Sequence, residues 1–318
     1  MRFAIIGSGG VGGYYGARLV RAGHDVRFLA RGAHLSAMRA RGLSIQSPEG
    51  DFTVPVRAED DATRLGPVDV VVLAVKNYDV ASVLPQVKAV VAASESPALG
   101  GASAVVLTLQ NGVDSPSEVA AALGEPTVMG GTTYMSTAIR EPGVIRQVGT
   151  LHRIVLGEAF GDTSHVSARV QTLRDTLAQA GLNVEAVADI RGPLWEKLAF
   201  LAAMSGFCTA GRASVGTLRE GPFFRETFRE AAAEVLRVAA AEGVVTTTRA
   251  EDVVRFMESL APEMRPSMMV DLDAGKTLEV EYLQGTVARR GHVLGVPTPV
   301  MSTLYSVLLP HARGPRQG

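Results

Sequence analysis

The chain has 318 residues, a length typical of about two domains, and 47% of them are hydrophobic. Its 31 lysines and arginines balance 32 acidic residues, and a net charge of −1 gives no electrostatic reason to expect nucleic acid or an anionic membrane as a partner. The single cysteine, Cys208, excludes an intrachain disulfide and a cysteine-based zinc site. The six histidines form no HxxH or HExxH pair, so we expect no bound metal.

The N-terminal run Met1–Gly7 is too short for a signal peptide, and a glycine-rich turn follows it. No apolar run reaches the roughly 18 residues of a membrane span. We therefore expect a soluble, cytoplasmic protein.

In the first two thirds of the chain, short β-rich runs alternate with helical stretches. The predicted elements are a strand at Arg2–Gly7, a helix at Val11–Ala22, and strands at Asp25–Ala30, Asp69–Lys76 and Ala104–Leu109. The unbroken apolar run at Asp69–Lys76 is typical of a strand that is buried on both faces of a parallel sheet. This rhythm predicts an α/β fold with a Rossmann-type, doubly wound parallel sheet.

The middle of the chain, Thr127–Glu158, lacks long helices and predicts a few antiparallel strands. A helix at Thr163–Ala180 and a strand at Leu182–Val187 then complete the first domain. All later predicted elements are helices, at Leu194–Ser205, Phe223–Glu242, Ala250–Leu260, Leu278–Arg290 and Thr298–Leu309. We therefore expect a Rossmann-type domain over residues 1–188 and an all-helical domain over 189–318, with a frayed tail at His311–Gly318.

The glycine-rich run between the first strand and the first helix follows the pattern G-x-G-x-x-G, with residues Gly7, Ser8, Gly9, Gly10, Val11 and Gly12. Gly7 permits a tight turn, Gly9 lets the backbone approach a pyrophosphate, and Gly12 lets helix and strand pack closely. The helix then offers free N–H groups and the positive end of its dipole. Because the pattern follows a strand and opens a helix, it predicts a dinucleotide site rather than a glycine-rich turn without a ligand.

The end of the second strand indicates the cofactor. NAD enzymes place Asp or Glu there, but this strand ends in Ala30-Arg31, and Asp25 lies at its other end. A guanidinium at Arg31 would form a fork onto a 2′-phosphate, and Lys76, at the end of another strand, would add charge. We predict NADP(H), the alternative for Arg31 being a solvated loop arginine.

Two further residues are candidates for chemistry. Asn111 follows the strand Ala104–Leu109, where ligands of such sheets bind, although it is also a common turn residue before Gly112. Lys197 is one lysine in an otherwise apolar helix, which fits either a snorkelling surface residue or a functional cation. The candidate carboxylates of the helical part are Glu196, Glu279 and Glu281.

Several motifs are spread along the chain, namely GSGGVG at Gly7–Gly12, Arg31, Val75-Lys76, QNG at Gln110–Gly112, LWEKLA around Lys197, PSMM at Pro266–Met269 with Asp271, and the LEVEYLQG segment Leu278–Gly285. Through these motifs the chain resembles, over nearly its full length, the ketopantoate reductase (2-dehydropantoate 2-reductase) family. Ser267 and Glu279 stand twelve residues apart, as in the family pattern.

The resemblance implies a role for each matching residue. Lys197 corresponds to the general acid. Glu279 corresponds to the carboxylate that orients this lysine and binds the hydroxyl side of the substrate, and it is also one of the cofactor contacts. Ser267 corresponds to a contact of the substrate carboxylate, and Asn111 to a residue that touches both cofactor and substrate. The resemblance also implies that Arg31 and Lys76 contact the adenosine and its 2′-phosphate. A lysine with its ordinary pKa of about 10.4 would protonate the alkoxide left by hydride transfer.

The sequence departs from the family four and eight residues after the lysine, where asparagines are usual. Leu201 and Ser205 stand there, so these two substrate-binding positions have lost their amides. Our leading hypothesis is NADPH-dependent reduction of ketopantoate to pantoate. The alternatives are reduction of a more apolar 2-oxo acid, as Leu201 suggests, and a non-catalytic NADP(H)-sensing protein. The resemblance and the apolar helical domain also favour a homodimer.

Overall fold

The computed structural model describes residues 1–101 and 103–314. The chain forms two compact units, one made of Met1–Gln110 with Ser115–Ile190 and the other of Asn111–Asp114 with Arg191–Gly318. The predicted division lay between residues 188 and 189, whereas the structure has it between Ile190 and Arg191. The short segment Asn111–Asp114, which was not expected to leave the first unit, belongs with the second.

The first unit contains one mixed sheet, whose described part has ten strands. In chain order the strands are β1 (Arg2–Ile6), β2 (Asp25–Leu29), β3 (Leu43–Gln46), β4 (Phe52–Val54), β5 (Arg57–Glu59), β6 (Val70–Leu73), β7 (Val105–Thr108), β8 (Val128–Glu141), β9 (Val144–Glu158) and β10 (Asn183–Asp189). The α-helices of this unit are α1 (Gly10–Arg21), α2 (Gly32–Arg41), α3 (Asn77–Ala92), α4 (Ser115–Leu123) and α5 (Ala168–Gln179).

The parallel part of the sheet has the order β5-β2-β1-β6-β7-β8. The chain therefore moves outward from β1 in one direction and then in the other, which is the topology of a doubly wound fold. β8 pairs antiparallel with β9, as predicted for the middle of the chain. The predicted fold class is confirmed.

The two faces of this sheet support separate hydrophobic cores. Phe3 and Ile5 of β1 belong to one cluster of buried side chains, and Ala4 and Ile6 belong to another. Successive side chains of a strand point to opposite faces, so this alternation means that both faces are covered. It explains why the central strands are apolar at every position.

The described residues of the second unit form helices and no strand, as predicted. Its helices are α6 (Arg191–Gly211), α7 (Val215–Arg219), α8 (Phe224–Ala241), α9 (Ala250–Ser259), α10 (Ser267–Asp273), α11 (Gln284–Leu294) and α12 (Pro299–Leu308). Within the part of the chain that the structure describes, no helix combines the length and the apolar character needed to cross a bilayer.

A buried carboxylate links two of these helices. Glu234 of α8 has no exposed surface, and its two oxygens accept the backbone N–H groups of Val300 and Met301 at 2.8 Å each. These N–H groups lie in the first turn of α12, where an intrahelical partner is missing. Burial raises the pKa of this carboxyl, and the two N–H donors oppose the rise.

Two expectations for the second unit are wrong. The predicted helix Leu278–Arg290 begins only at Gln284. Leu278 and Glu279 precede a turn at residues 280–283, and Leu278, Val280 and Leu283 are all buried in this non-helical segment. The predicted fraying of the tail also fails for its first residues, since Leu278 donates its N–H to the Ala312 carbonyl at 2.8 Å. Residues 315–318 of that tail lie outside the described part of the chain.

Candidate active site

The glycine-rich run forms the turn between β1 and α1. Gly7 has a φ of +102°, and a Cβ at this residue would lie 2.4 Å from the backbone nitrogen of Val75. A Cβ on Gly12 would lie 2.2 Å from the carbonyl oxygen of Gly7. Both positions therefore require glycine for packing within the protein. At Gly9, in contrast, nothing lies within 4 Å of the Cβ position, so the space above this residue is open to a ligand.

The N-terminus of α1 provides donors at the same place. The helix begins at Gly10, its cap residue Gly9 offers no side-chain hydrogen bond, and its first turn, which includes the half-buried Val11, contains no acidic residue. The first N–H groups of a helix have no intrahelical acceptor and lie at the positive end of its dipole. Open space above a glycine and uncapped helix donors fit the pyrophosphate of a dinucleotide.

Hydrogen bonds of the Ser8 and His34 side chains hold this turn in place. Ser8 is 6% exposed, and its hydroxyl donates to the Leu29 carbonyl at 2.7 Å. The ring of His34 contacts the same turn, with Nε2 2.9 Å from the Ser8 carbonyl and Nδ1 3.1 Å from the backbone nitrogen of Gly143. Because Nδ1 accepts the Gly143 N–H, Nε2 carries the proton and donates to Ser8. Burial lowers the pKa of His34, which favours this neutral form.

A cavity of about 260 Å³ opens beside the glycine-rich run. Arg31 lines it, is exposed, and precedes the first residue of α2. Lys76 is half-buried and precedes the first residue of α3. β2 and β6, which lead to these two cations, flank β1 on either side. Asp25 begins β2, at its opposite end, and pairs with Arg27 at 3.0 Å.

In the second unit, three of the predicted residues form a continuous chain of contacts. Lys197 of α6 donates from Nζ to Oδ1 of Asn111 at 3.1 Å. Nδ2 of Asn111 donates to Oε2 of Glu279 at 3.3 Å. The Asn111 amide thus bridges the ammonium and the carboxylate, a contact that local sequence spacing does not predict.

The environment of Lys197 changes its acidity. Burial lowers the pKa of its ammonium to about 8, and the charge of the nearby Glu279 opposes this shift. Glu279 itself is 4% exposed. The expectation of an ordinary lysine pKa is therefore wrong, because desolvation disfavours the charged form. The ammonium still predominates by roughly ten to one at pH 7, and a pKa near the working pH suits a general acid.

The other two candidate carboxylates, Glu196 and Glu281, accept hydrogen bonds from residues other than Lys197 and Asn111. Glu196 accepts the backbone N–H groups of Thr247 and Thr248. Glu281 accepts hydrogen bonds from Arg289 and from the hydroxyl of Tyr305. Glu279 is therefore the candidate among these carboxylates that contacts the Lys197 site.

The predicted substrate-binding positions differ in exposure. Ser267 is exposed at the first residue of α10, which packs against α6. Leu201 is half-buried and packs against the apolar core of the second unit. Ser205 is 1% exposed, donates its hydroxyl to the Leu201 carbonyl at 2.6 Å and accepts from Nε2 of Gln284 at 3.1 Å. Its donor is thus used within the protein, and a substrate would meet only its remaining acceptor position.

A doubly wound sheet with this glycine-rich turn, followed by a helical unit that carries a lysine, defines a nicotinamide-nucleotide-dependent oxidoreductase. Two family models match the chain, Ketopantoate reductase PanE/ApbA over residues 3–161 and Ketopantoate reductase PanE/ApbA C terminal over residues 189–312. The chain belongs to the ketopantoate reductase family, which confirms the resemblance seen in the sequence.

Relatives cover the chain almost from end to end. An uncharacterized oxidoreductase, YkpB, of Bacillus subtilis is 29% identical over 97% of this chain and 98% of its own length. The crystal structure of a PanE/ApbA family ketopantoate reductase from Ralstonia eutropha is 32% identical, with a TM-score of 0.85, and covers 97% of this chain and 98% of that one. D-mandelate dehydrogenase with NADH and anilino(oxo)acetate has a TM-score of 0.86 at 21% identity over 98% and 97% of the two chains, and shares the fold.

Proposed function

We propose that this chain is an NADP(H)-dependent reductase that converts a 2-oxo acid to the 2-hydroxy acid, with ketopantoate as the first candidate substrate and pantoate as its product. The proposal places the protein in the cytoplasm, as a homodimer, in pantothenate biosynthesis. The observation that carries the chemistry is the contact chain from Lys197 through Asn111 to Glu279. It joins a proton donor of suitable pKa to a fixed carboxylate.

The glycine-rich turn and the two strand-end cations would hold the cofactor. The backbone at Gly9 and the first turn of α1 suit the pyrophosphate, since no side chain fills that space. Arg31 lines the adjoining cavity and would form a fork onto the 2′-phosphate, with Lys76 as a second charge. A bound reduced nicotinamide supplies the hydride.

Lys197 would act on the oxygen of the substrate ketone. Its ammonium polarises the carbonyl, and the charge stabilises the oxygen as it becomes an alkoxide. The N–H bond of Nζ then breaks as the O–H bond of the product forms, leaving a neutral amine that regains a proton from water. Asn111 accepts one of the ammonium hydrogens and Glu279 accepts from the Asn111 amide, so these contacts hold Nζ in a fixed position.

Ser267 would contact the substrate carboxylate. It is exposed on a helix that packs against the helix of Lys197, and a hydroxyl can donate to a carboxylate oxygen. Ser267→Ala is expected to raise the KM for the 2-oxo acid and to leave the affinity for NADPH unchanged.

A second candidate substrate is a 2-oxo acid without a hydroxyl group. Leu201 lies one helical turn from Lys197 on the same helix face, and its side chain cannot form a hydrogen bond. Ser205, one turn further, has its donor occupied. A substrate hydroxyl left unpaired beside them costs about 1–3 kcal/mol, or roughly 5–150-fold in catalytic efficiency. The buried polar residues Thr209 and Gln284 are the alternative sources of such a bond.

A matched pair of substrates tests these proposals. NADPH oxidation is measured with ketopantoate and with 3,3-dimethyl-2-oxobutanoate, which differs from it only by lacking the hydroxyl. The proposed activity requires turnover of at least one of them and its loss in Lys197→Ala. NADPH binding without turnover of either acid, or of phenylglyoxylate, would contradict the reductase and favour a cofactor-sensing protein.

The ratio of the two catalytic efficiencies identifies the substrate class. Leu201→Asn combined with Ser205→Asn is expected to shift this ratio toward ketopantoate, whereas the volume-conserving control Leu201→Met leaves it unchanged. Strong ketopantoate turnover by the natural protein, with no shift in the double variant, would show that other residues already bind the hydroxyl.

A further inference from the structure

The segment Asn111–Asp114 is attached to the helical unit at each of its four residues. Asn111 contacts Lys197 and Glu279. Gly112 has a φ of +87°, and a Cβ there would lie 2.7 Å from the carbonyl oxygen of Tyr282. Val113 packs against the apolar core of that unit. The backbone that carries the Asn111 amide is therefore confined on several sides.

The fourth residue, Asp114, is attached through a partly buried cation. Arg290 of α11 donates from one terminal nitrogen to Oδ1 of Asp114 at 2.5 Å and from the other to the carboxylate of Glu242. The Arg290 Nε donates to Oγ1 of Thr286 at 3.1 Å, and this hydroxyl donates to the same Asp114 oxygen at 3.1 Å. The guanidinium, the hydroxyl and the Asp114 carboxylate form a closed ring of hydrogen bonds.

The same guanidinium also contacts the helix of the candidate general acid. Its central carbon lies 5.9 Å from the ring centre of Trp195, within the range of a cation–π contact. Trp195 stands two residues before Lys197 on α6. Arg290 thus touches both the segment that carries Asn111 and the helix that carries Lys197.

We propose that Arg290 is a positioning residue for the proton donor, which it serves by holding Asp114 and thereby the Asn111 amide between the Lys197 ammonium and the Glu279 carboxylate. The proposal rests on the proposed role of Lys197. A planar fork can bind two carboxylates at once in fixed directions, which a lysine in this place cannot do. Side-chain packing and charge pairs of this kind determine whether a site keeps its geometry to within a fraction of an ångström.

The two carboxylates on Arg290 provide a matched pair of variants. Asp114→Ala removes the carboxylate on the Asn111 segment, and Glu242→Ala removes the one on the opposite side. If Arg290 only stabilises the fold, the two variants have similar effects. If it positions Asn111, Asp114→Ala releases the Asn111 amide, the ammonium loses the Asn111 oxygen as an acceptor, and the pKa of Lys197 falls further, whereas Glu242→Ala leaves this pKa unchanged.

The pKa of Lys197 is measured directly, without substrate, by NMR titration of protein labelled with ¹⁵N-lysine. The chain has only four lysines, Lys76, Lys88, Lys197 and Lys276, and Lys197→Ala assigns the signal. For Asp114→Ala we expect a fall of about one pH unit in the Lys197 titration and in the alkaline limb of kcat, with NADPH affinity retained. Arg290→Lys is expected to shift both in the same direction.

Equal titrations in the Asp114→Ala and Glu242→Ala proteins would overturn the positioning role. Should Asp114→Ala fail to fold, Asp114→Asn, which keeps the shape of the side chain, is compared with Glu242→Gln in the same way. Failure of the proposed function gives a different result, namely NADPH binding without turnover of any 2-oxo acid, and failure of the proposed role of Lys197 gives normal turnover in Lys197→Ala. In both cases the titrations still show whether Arg290 positions Asn111.

Discussion

The two candidate regions, one in each unit of the chain, offer different kinds of atoms to a ligand. The turn Gly7–Gly12 offers backbone N–H groups and open space at Gly9, and its other three glycines, Gly7, Gly10 and Gly12, are already required by packing within the protein. The cluster of Lys197, Asn111 and Glu279 offers side-chain atoms whose properties depend on their surroundings. Substitutions in the turn should therefore impair cofactor binding by steric obstruction. Substitutions in the cluster should impair catalysis by removing a charge or a proton.

The largest expected effect separates catalysis from binding. Lys197→Ala is expected to lower turnover by about 10²–10⁴-fold, the usual contribution of general acid catalysis, while NADPH still binds. Lys197→Arg is also expected to lose most activity, because a guanidinium does not give up its proton near neutral pH. Steady-state kinetics and fluorescence titration of NADPH measure the two properties. The control Lys88→Ala, at an exposed lysine of α3, should behave like the natural protein. Near-normal turnover of Lys197→Ala would remove this residue from the mechanism.

Gly9→Ala is expected to weaken NADPH binding without changing the stability of the protein. Its Cβ meets no protein atom within 4 Å, so the free energy of unfolding should stay unchanged, but the methyl group occupies the space proposed for the pyrophosphate. Loss of one charge-assisted hydrogen bond there weakens NADPH binding roughly 10–150-fold.

Gly12→Ala is the comparison for this variant. Its Cβ would overlap the Gly7 carbonyl oxygen, and overpacking of this kind costs about 1–3 kcal/mol of stability. Thermal unfolding of both variants distinguishes the two cases. A Gly9→Ala protein that binds NADPH normally would place the pyrophosphate elsewhere.

Arg31→Ala should have a smaller and more selective effect. Arg31 is exposed, so solvent weakens its interaction with a phosphate, and we expect a rise of about tenfold in the KM for NADPH with little change for NADH. Comparison of the two cofactors under the same conditions measures the selectivity. Equal changes for both would mean that Arg31 does not contact the 2′-phosphate.

The two regions also differed in how far they could be predicted. The dinucleotide turn was predictable because its glycines, the preceding strand and the following helix are consecutive in sequence. The bond between Lys197 and Asn111 joins residues 86 positions apart, and Asn111 and Glu279 are 168 positions apart, so no local spacing indicates either contact. Resemblance to a family supplied these residues, but neither the bridging amide nor the lowered pKa of the lysine.

Other features depended on tertiary contacts that no local pattern contains. His34 was not singled out, because its role comes from a bond to Ser8 and another to Gly143, 109 positions away. The resemblance to the family predicted Ser205 as a substrate-binding position, and local sequence did not indicate that a bond from Gln284 uses part of its hydrogen-bonding capacity. The apolar residues Leu278, Val280 and Leu283 suggested a helix, but they are buried in a non-helical segment in which the Leu278 N–H donates to the Ala312 carbonyl.

The pH dependence of the reaction in both directions shows whether Lys197 is a general acid with a pKa of about 8. Reduction requires the protonated lysine, so kcat/KM should be constant below this pH and fall tenfold per unit above it. Oxidation of the hydroxy acid requires the neutral amine, so its kcat/KM should rise with pH and level off above about 8. Both limbs should be absent from the residual activity of Lys197→Ala. If the pH-dependent changes persist in this variant, or have the same direction for both reactions, Lys197 is not the general acid.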